Sequence, residues 1–275
     1  MRAAVTADGL CDICATERAR TGGTAGHLAP PAPAPASAPA YGYPAAPAVA
    51  PPQLASPVGL SRAVVVLLGA VIAADIFALA AGANVYGLMS DVLAEDFGAF
   101  TDADLDRADW LYAGSGVAQL VALLAAAVVF IIWFVRVRKN AGVFAPDRHR
   151  MGPGWAIGSW FVPFGNFWLP RRVAGDIWAA STQDEPDGSR RPVSYALVNA
   201  WWAAWVCTLL LGRYGSRMYD QAEEADAVRE AAGVLFAADL VDVLAAVLAI
   251  LFVRKLTRMQ HLKATQGPLA PAPPL

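Results

Sequence analysis

Residues Gly152 to Pro170, GPGWAIGSWFVPFGNFWLP, are apolar and aromatic yet broken by Pro153, Pro163 and Pro170 and by Gly154, Gly158 and Gly165. A straight bilayer helix needs about 20 uninterrupted apolar residues, and an interior proline removes one hydrogen bond and clashes with the preceding turn. Arg148 and Arg150 stand before the stretch and Arg171 and Arg172 after it. Basic residues at both ends put both ends on one membrane face. The reading is a re-entrant or interface-lying hairpin whose tip is Pro163-Phe164-Gly165-Asn166. Trp155, Trp160 and Trp168 then serve as an aromatic belt at the lipid–water boundary. Backbone of this kind at membrane depth must be buried in protein or face water. A deep tip therefore implies a cavity, and a shallow tip only an anchor.

Outward from this stretch the chain reads as an all-α integral membrane protein. It has 275 residues, 57% hydrophobic and 16% charged, with mean hydropathy +0.43. Soluble domains carry about 25% charged residues, so a multi-span membrane protein is the leading class. Four spans are expected, at about 63–86, 113–135, 195–211 and 231–253, inside a membrane domain of residues 62–262. Ala70, Ala74, Ala78 and Gly82 in the first span and Gly114, Ala118, Ala122 and Ala126 in the second recur every four residues. Such small-residue stripes let two helices pack closely as an antiparallel hairpin.

Between these spans lie polar segments. The acidic loop after the first span suggests one or two short solvated helices, with Ser90 and Thr101 as N-caps and Thr101-Asp102-Ala103-Asp104 as a capping box using Asp in place of Glu. Residues 152–181 form the re-entrant or interfacial segment. Its end, RRVAGDIWAAS, puts Val173, Ile177 and Trp178 on one face and reads as an interfacial amphipathic helix.

Seventeen of the 21 Lys and Arg fall in the two tails and the middle loop, against four in the other two loops. The positive-inside rule puts both termini in the cytoplasm and the chain in the cell's inner or plasma membrane. Residues 1–28 form a polar tail with the half-motif Cys11-Asp12-Ile13-Cys14. Residues 29–61 are an Ala/Pro-rich linker expected to be disordered, as is the tail 263–275. Zinc needs four protein ligands, and Cys11 and Cys14 supply two, with His27 the other nearby candidate. A knuckle completed by a second chain, a ribbon lacking its other half and a chance dithiol all fit, the second best. No other cofactor is implied.

Asp75 in the first span and Asp239 and Asp242 in the fourth carry the sharpest chemical signal, because a carboxylate inside a membrane is costly and turns to protein or water. No Lys or Arg lies deep in any span. Asn84, Gln119 and Asn199 are the neighbours that could hydrogen-bond them. Asp242 shares a helix face with Ala238, Ala245 and Ala249 and so points into the bundle. Enzyme signatures such as a nucleophile elbow, a phosphate loop or an HExxH pair are missing, which weighs against an enzyme. The leading function is a non-enzymatic membrane scaffold or interaction protein. Its partners would be the bilayer, anionic headgroups at Arg171 and Arg172, and a second copy or another membrane protein. Net charge of −2 gives no basic field for nucleic acid. The alternative is a small proton, cation or solute transporter or channel component using the carboxylates.

The run MGPGWAIGSWFVPFGNFWLPRRVAGDIWAAS, Met151 to Ser181, resembles an uncharacterised membrane family abundant in actinobacteria, domain of unknown function 4328. The shared features are Pro153-Gly154-Trp155, Phe161-Val162-Pro163, Asn166 and Pro170. Before them, Trp133, Arg136, Asn140 and Ala141 match a Trp-x-x-Arg-x-x-x-Asn-Ala pattern. The resemblance covers about residues 60 to 262 and implies a fold but no activity. Some relatives carry an N-terminal zinc ribbon, which would make Cys11 and Cys14 its remaining half.

Overall fold

The computed structural model describes residues 53–94, 100–185 and 187–266, all within the compact unit Pro51–Leu275. The expectations for Cys11, Cys14, His27 and most of the linker lie outside the described residues. Four long helices dominate: α1 (Val58–Leu93), α2 (Asp102–Phe144), α5 (Ala196–Asp220) and α6 (Ala225–Gln266). The hairpin between α2 and α5 holds one short turn of helix, α3 (Trp155–Gly158), and the 13-residue α4 (Leu169–Ser181).

α1, α2 and α6 are long and apolar enough to cross a membrane. Their apolar surface is turned outward: Val66, Ile76, Val117, Leu120, Val121, Leu124, Leu240 and Leu244 are all exposed. Monomeric soluble proteins rarely expose contiguous apolar patches of such extent. α5 is less apolar, because Trp201, Trp202, Trp205 and Asn199 dilute the run from Tyr195 to Leu211.

The helices follow one another in space as α2, α1, α6, α5. α1 packs along both α2 and α6, and α6 along α5, while α2 and α5 barely meet. The expected α1–α2 hairpin is present. Ala74, Ala78, Gly82 and Ala126 are buried, whereas Ala70 and Gly114, the ends of the stripes, are exposed. Near its far end, α5 approaches α6 closely at Gly215, where a Cβ would lie 2.9 Å from Leu235 Cγ.

Three expectations are corrected. The long helices run past the spans read from the sequence: α1 starts at Val58, inside the stretch read as linker, and runs on to Leu93, and α2 begins at Asp102, so the described part of the acidic loop holds no separate short helix. Ser90 is no N-cap, because it lies within α1 and its hydroxyl donates to the Tyr86 carbonyl at 2.8 Å. α4 does not lie with one face open on the surface of the bundle, as an amphipathic surface helix would. Val173, Ala174, Gly175, Asp176, Ile177, Trp178, Ala179, Ala180 and Ser181 are all buried, because α4 is wedged against α2, α5 and α6. Thr101, by contrast, forms the capping box: its hydroxyl accepts from the Asp104 N–H at 3.3 Å, and its own N–H donates to Asp104 Oδ2 at 3.0 Å.

The core sits at one end of the bundle. Trp133, Phe134, Ile177, Trp178, Trp201 and Phe252 belong to a single buried cluster. Trp201 stacks on Phe252 with centroids 4.6 Å apart. Midway along the helices only Val71, Ala126 and Ala246 form a small second cluster.

Candidate functional site

Asp75 on α1, Gln119 on α2 and Asp239 on α6 meet in the middle of the three apolar helices. Gln119 Nε2 donates to Asp75 Oδ1 at 3.0 Å and to Asp239 Oδ1 at 2.9 Å. An amide nitrogen has two hydrogens, so one side chain serves two carboxylates and has none left. Asp75 is 1% exposed, and its Oδ2 is buried without a hydrogen-bond partner. Asp242 follows Asp239 by one turn of α6, is half-buried and lies within electrostatic reach of both other carboxylates. No salt bridge among the described residues involves any of the three.

Asp242 also lines a cavity of about 300 Å3 in the gap that α2 and α5 leave open. Its walls are apolar: Leu68 and Val71 from α1, Phe130 from α2, Ala245 and Ala249 from α6. Trp160 from the hairpin and Trp201 and Trp205 from α5 line it as well. Trp160 packs against Phe130, Phe134, Trp202 and Trp205 with centroids 5.8–6.0 Å away. Its indole N–H is buried and unpartnered.

The hairpin thus has two sides. Trp160 and Gly165 turn inward, while Phe161, Phe164 and Trp168 are exposed, Phe164 to 79%. Phe164 at the tip has φ +58°, a conformation that non-glycine residues adopt uncommonly. Pro153, Gly154 and Trp155 lie exposed at the start. Asn166 keeps its side-chain oxygen buried without a partner. Pro170 is buried in the first turn of α4, where its missing N–H costs nothing. At Gly165 a Cβ would come within 2.8 Å of both Leu169 Cδ1 and Val162 Cγ1. Gly165→Ala is therefore expected to destabilise the protein by about 1–3 kcal/mol, as other overpacked cores do. Thermal unfolding of the purified variant in detergent measures it, and an unchanged midpoint would show that the turn repacks freely.

Trp133, Arg136 and Asn140, quoted above for their spacing, all serve to bind the packed end together. Trp133 Nε1 donates to Thr257 Oγ1 at 3.1 Å, and Arg136 to the Ser56 carbonyl at 3.3 Å. Asn140 Oδ1 accepts from the Ala55 N–H at 3.0 Å, while its Nδ2 donates to the Ala55 carbonyl at 2.8 Å and Gln260 Oε1 at 3.1 Å. Ala141, fully buried, packs beside them. Lys263 of α6 donates to the Ala180 and Thr182 carbonyls at 3.2 and 2.8 Å, capping the C-terminus of α4. Buried Arg138 donates to the Met151 carbonyl at 2.9 Å. Neither ring nitrogen of nearby His149 has a hydrogen-bond partner of good geometry. Burial pushes its pKa below the ordinary value, with a weak Ala141 backbone interaction offsetting only part.

Of the proposed partners for the carboxylates, only Gln119 reaches them. Asn84 is exposed. Asn199 lies near the start of α5 and accepts from Arg171 Nε at 3.0 Å. Arg171 is thereby engaged, and it also lies over the Tyr195 ring, whereas Arg172 is exposed. Sequence reading placed Trp160 in an aromatic belt rather than in the wall of a cavity, and missed Gln260 as a hub. A lone Gln in the basic run after the last span was the only signal for the latter.

Fold and site together define an all-helical protein of membrane type, with three helices long and apolar enough to cross a bilayer. The chain belongs to the family described as Domain of unknown function (DUF4328), which matches residues 98–258. That match includes Gln119, Asp239 and Asp242 and begins after α1, which carries Asp75. No curated protein and no solved structure matches the chain.

Proposed function

We propose that the chain is a four-span inner-membrane protein with both termini and the hairpin on the cytoplasmic side, in which Asp75, Asp239 and Asp242 take up protons as part of a transport or channel component. The single observation that carries this reading is the shared amide of Gln119. Gln119 serves two carboxyl groups in apolar surroundings, a third follows one turn along α6, and among the described residues no basic side chain pairs with any of them. Unbalanced charge in hydrocarbon is costly, so the cluster must bind its own positive charge. Among the described residues no group of three or more His, Cys, Asp and Glu is arranged to hold a metal ion, which favours protons. For α5 as the fourth span, the support is its length of 25 residues, its packing along α6 and its exposed Leu209 and Leu210. The charge asymmetry of the loops supports the orientation.

The scaffold reading is favoured by the aromatic end. Trp133, Phe134 and Phe252 are completely buried there, which makes this end a rigid packed body of the kind a scaffold needs. Liposomes with a trapped pH-sensitive dye separate the two. Proton flux above that of protein-free vesicles, lost in the triple variant D75N/D239N/D242N, is the expected result. Equal flux in wild type and variant would overturn the transport reading and leave the scaffold.

A further inference from the structure

A second concavity, away from the carboxylates, lies where the start of α1 meets the end of α6. It encloses about 1260 Å3. On α6, Leu251, Arg254 and Arg258 recur at three- and four-residue spacing and share a face. On α1, Arg62 and Val66 are four residues apart and do the same. Lys255 adds a fourth cation to the lining. Among the described residues no acidic one lines this groove. Arg62, Arg254 and Arg258 are exposed, and no salt bridge among the described residues involves them. Lys255 sits over the Trp178 ring, 5.5 Å from its centroid.

Four like charges in one groove repel one another, and an anion among them removes that cost. The rest of the lining is largely apolar, and the exposed Val66 and Leu251 continue it along the lipid-facing surface of the two helices. A polar anion joined to a long apolar body matches both parts. We propose that this groove binds an anionic glycerophospholipid, its phosphate among Arg62, Arg254, Lys255 and Arg258 and its acyl chains along Val66 and Leu251. The orientation proposed above is needed only to name the leaflet as cytoplasmic, where anionic headgroups and basic side chains meet.

The test uses the full chain purified in a neutral maltoside detergent. Dioleoylphosphatidylglycerol or dioleoylphosphatidylcholine is titrated in, with thermal unfolding and native mass spectrometry as readouts. The glycerol lipid is expected to bind and raise the unfolding temperature, and the choline lipid to do neither at the same concentration. In R254Q/R258Q the apparent affinity should fall roughly thirtyfold, each surface cation contributing about fivefold. Both side chains are exposed; should the double variant nevertheless fold poorly, R62Q tests the same groove from the other helix. Equal binding of the two lipids, or unchanged affinity in every variant, overturns the proposal. Inorganic phosphate alone giving the full thermal shift also overturns it, in favour of a simple anion site.

Discussion

Gln119→Leu is expected to lower stability by about 2–4 kcal/mol, although leucine nearly matches glutamine in volume. The loss comes from polarity. Both hydrogens of the amide are used, at 3.0 Å to Asp75 and 2.9 Å to Asp239. Hydrogen bonds between membrane helices average only about 0.6 kcal/mol, because the separated helices find other partners. That average understates this site. Asp75 already has one oxygen without a partner, and among the described residues no side chain but Gln119 hydrogen-bonds Asp75 or Asp239. Leaving a buried polar group without its partner costs about 1–3 kcal/mol, and two carboxyl groups lose theirs together. Tryptophan fluorescence on heating the purified protein in detergent measures the effect. Replacing both carboxyls should reverse much of it: the triple change Q119L/D75N/D239N supplies two amides that carry donors of their own. An unfolding midpoint for Q119L equal to that of wild type would mean that water, not Gln119, satisfies the carboxylates.

Each carboxylate was legible in the sequence as a charge inside an apolar run, but the centre they form was not. Asn84, Gln119 and Asn199 stood as equal candidates to meet them. The choice among these depends on helix phase and on the axial register of α1, α2 and α6. Register is a long-range property: Gln119 and Asp239 are 120 positions apart. The Thr101 capping box, confined to four residues, could be read directly. α4 shows the opposite limit. Its apolar face suggested a helix on the membrane surface, because the groups that satisfy its C-terminus are invisible locally. Gln260 Nε2, donating to Ser181 Oγ at 3.0 Å, and Lys263, donating to the Thr182 carbonyl, come from α6 some 80 positions later. The overrun of α1 and α2 has a simpler cause. Acidic residues near the end of α1 and the start of α2 suggested loop, yet a helix leaving the bilayer can continue into water with charged faces.

Asn140→Asp, which exchanges one amide nitrogen for oxygen, is expected to cost about 3 kcal/mol or more at neutral pH. Asn140 is 4% exposed and makes three hydrogen bonds. Aspartate keeps the one it accepts from the Ala55 N–H. It loses the two it donates and sets an anionic oxygen against the Ala55 carbonyl and Gln260 Oε1, previously 2.8 and 3.1 Å from the nitrogen. Gln260 cannot turn its amide to help without giving up its bonds to the Val137 carbonyl and Ser181 Oγ. Arg138 is committed to the Met151 carbonyl. The damage should be pH-dependent, with a definite sign. Burial beside acceptors raises the folded-state pKa of the new carboxyl above its unfolded value of about 3.9, so the folded state binds the proton first. Stability of N140D should therefore recover as pH falls from 7 toward 5, because the protonated acid regains one donor. Asn140→Ala separates charge from bond loss: it forfeits all three bonds and adds no charge, so it should fall short of N140D at pH 7 and show no such recovery. Thermal unfolding at the two pH values, with proteolysis of the segment before α1 as a local readout, distinguishes these outcomes. If N140D matches N140A at both, the segment is held by backbone fit alone, and the side-chain clasp between α2, α6 and the chain leading into α1 has no energetic part in the fold.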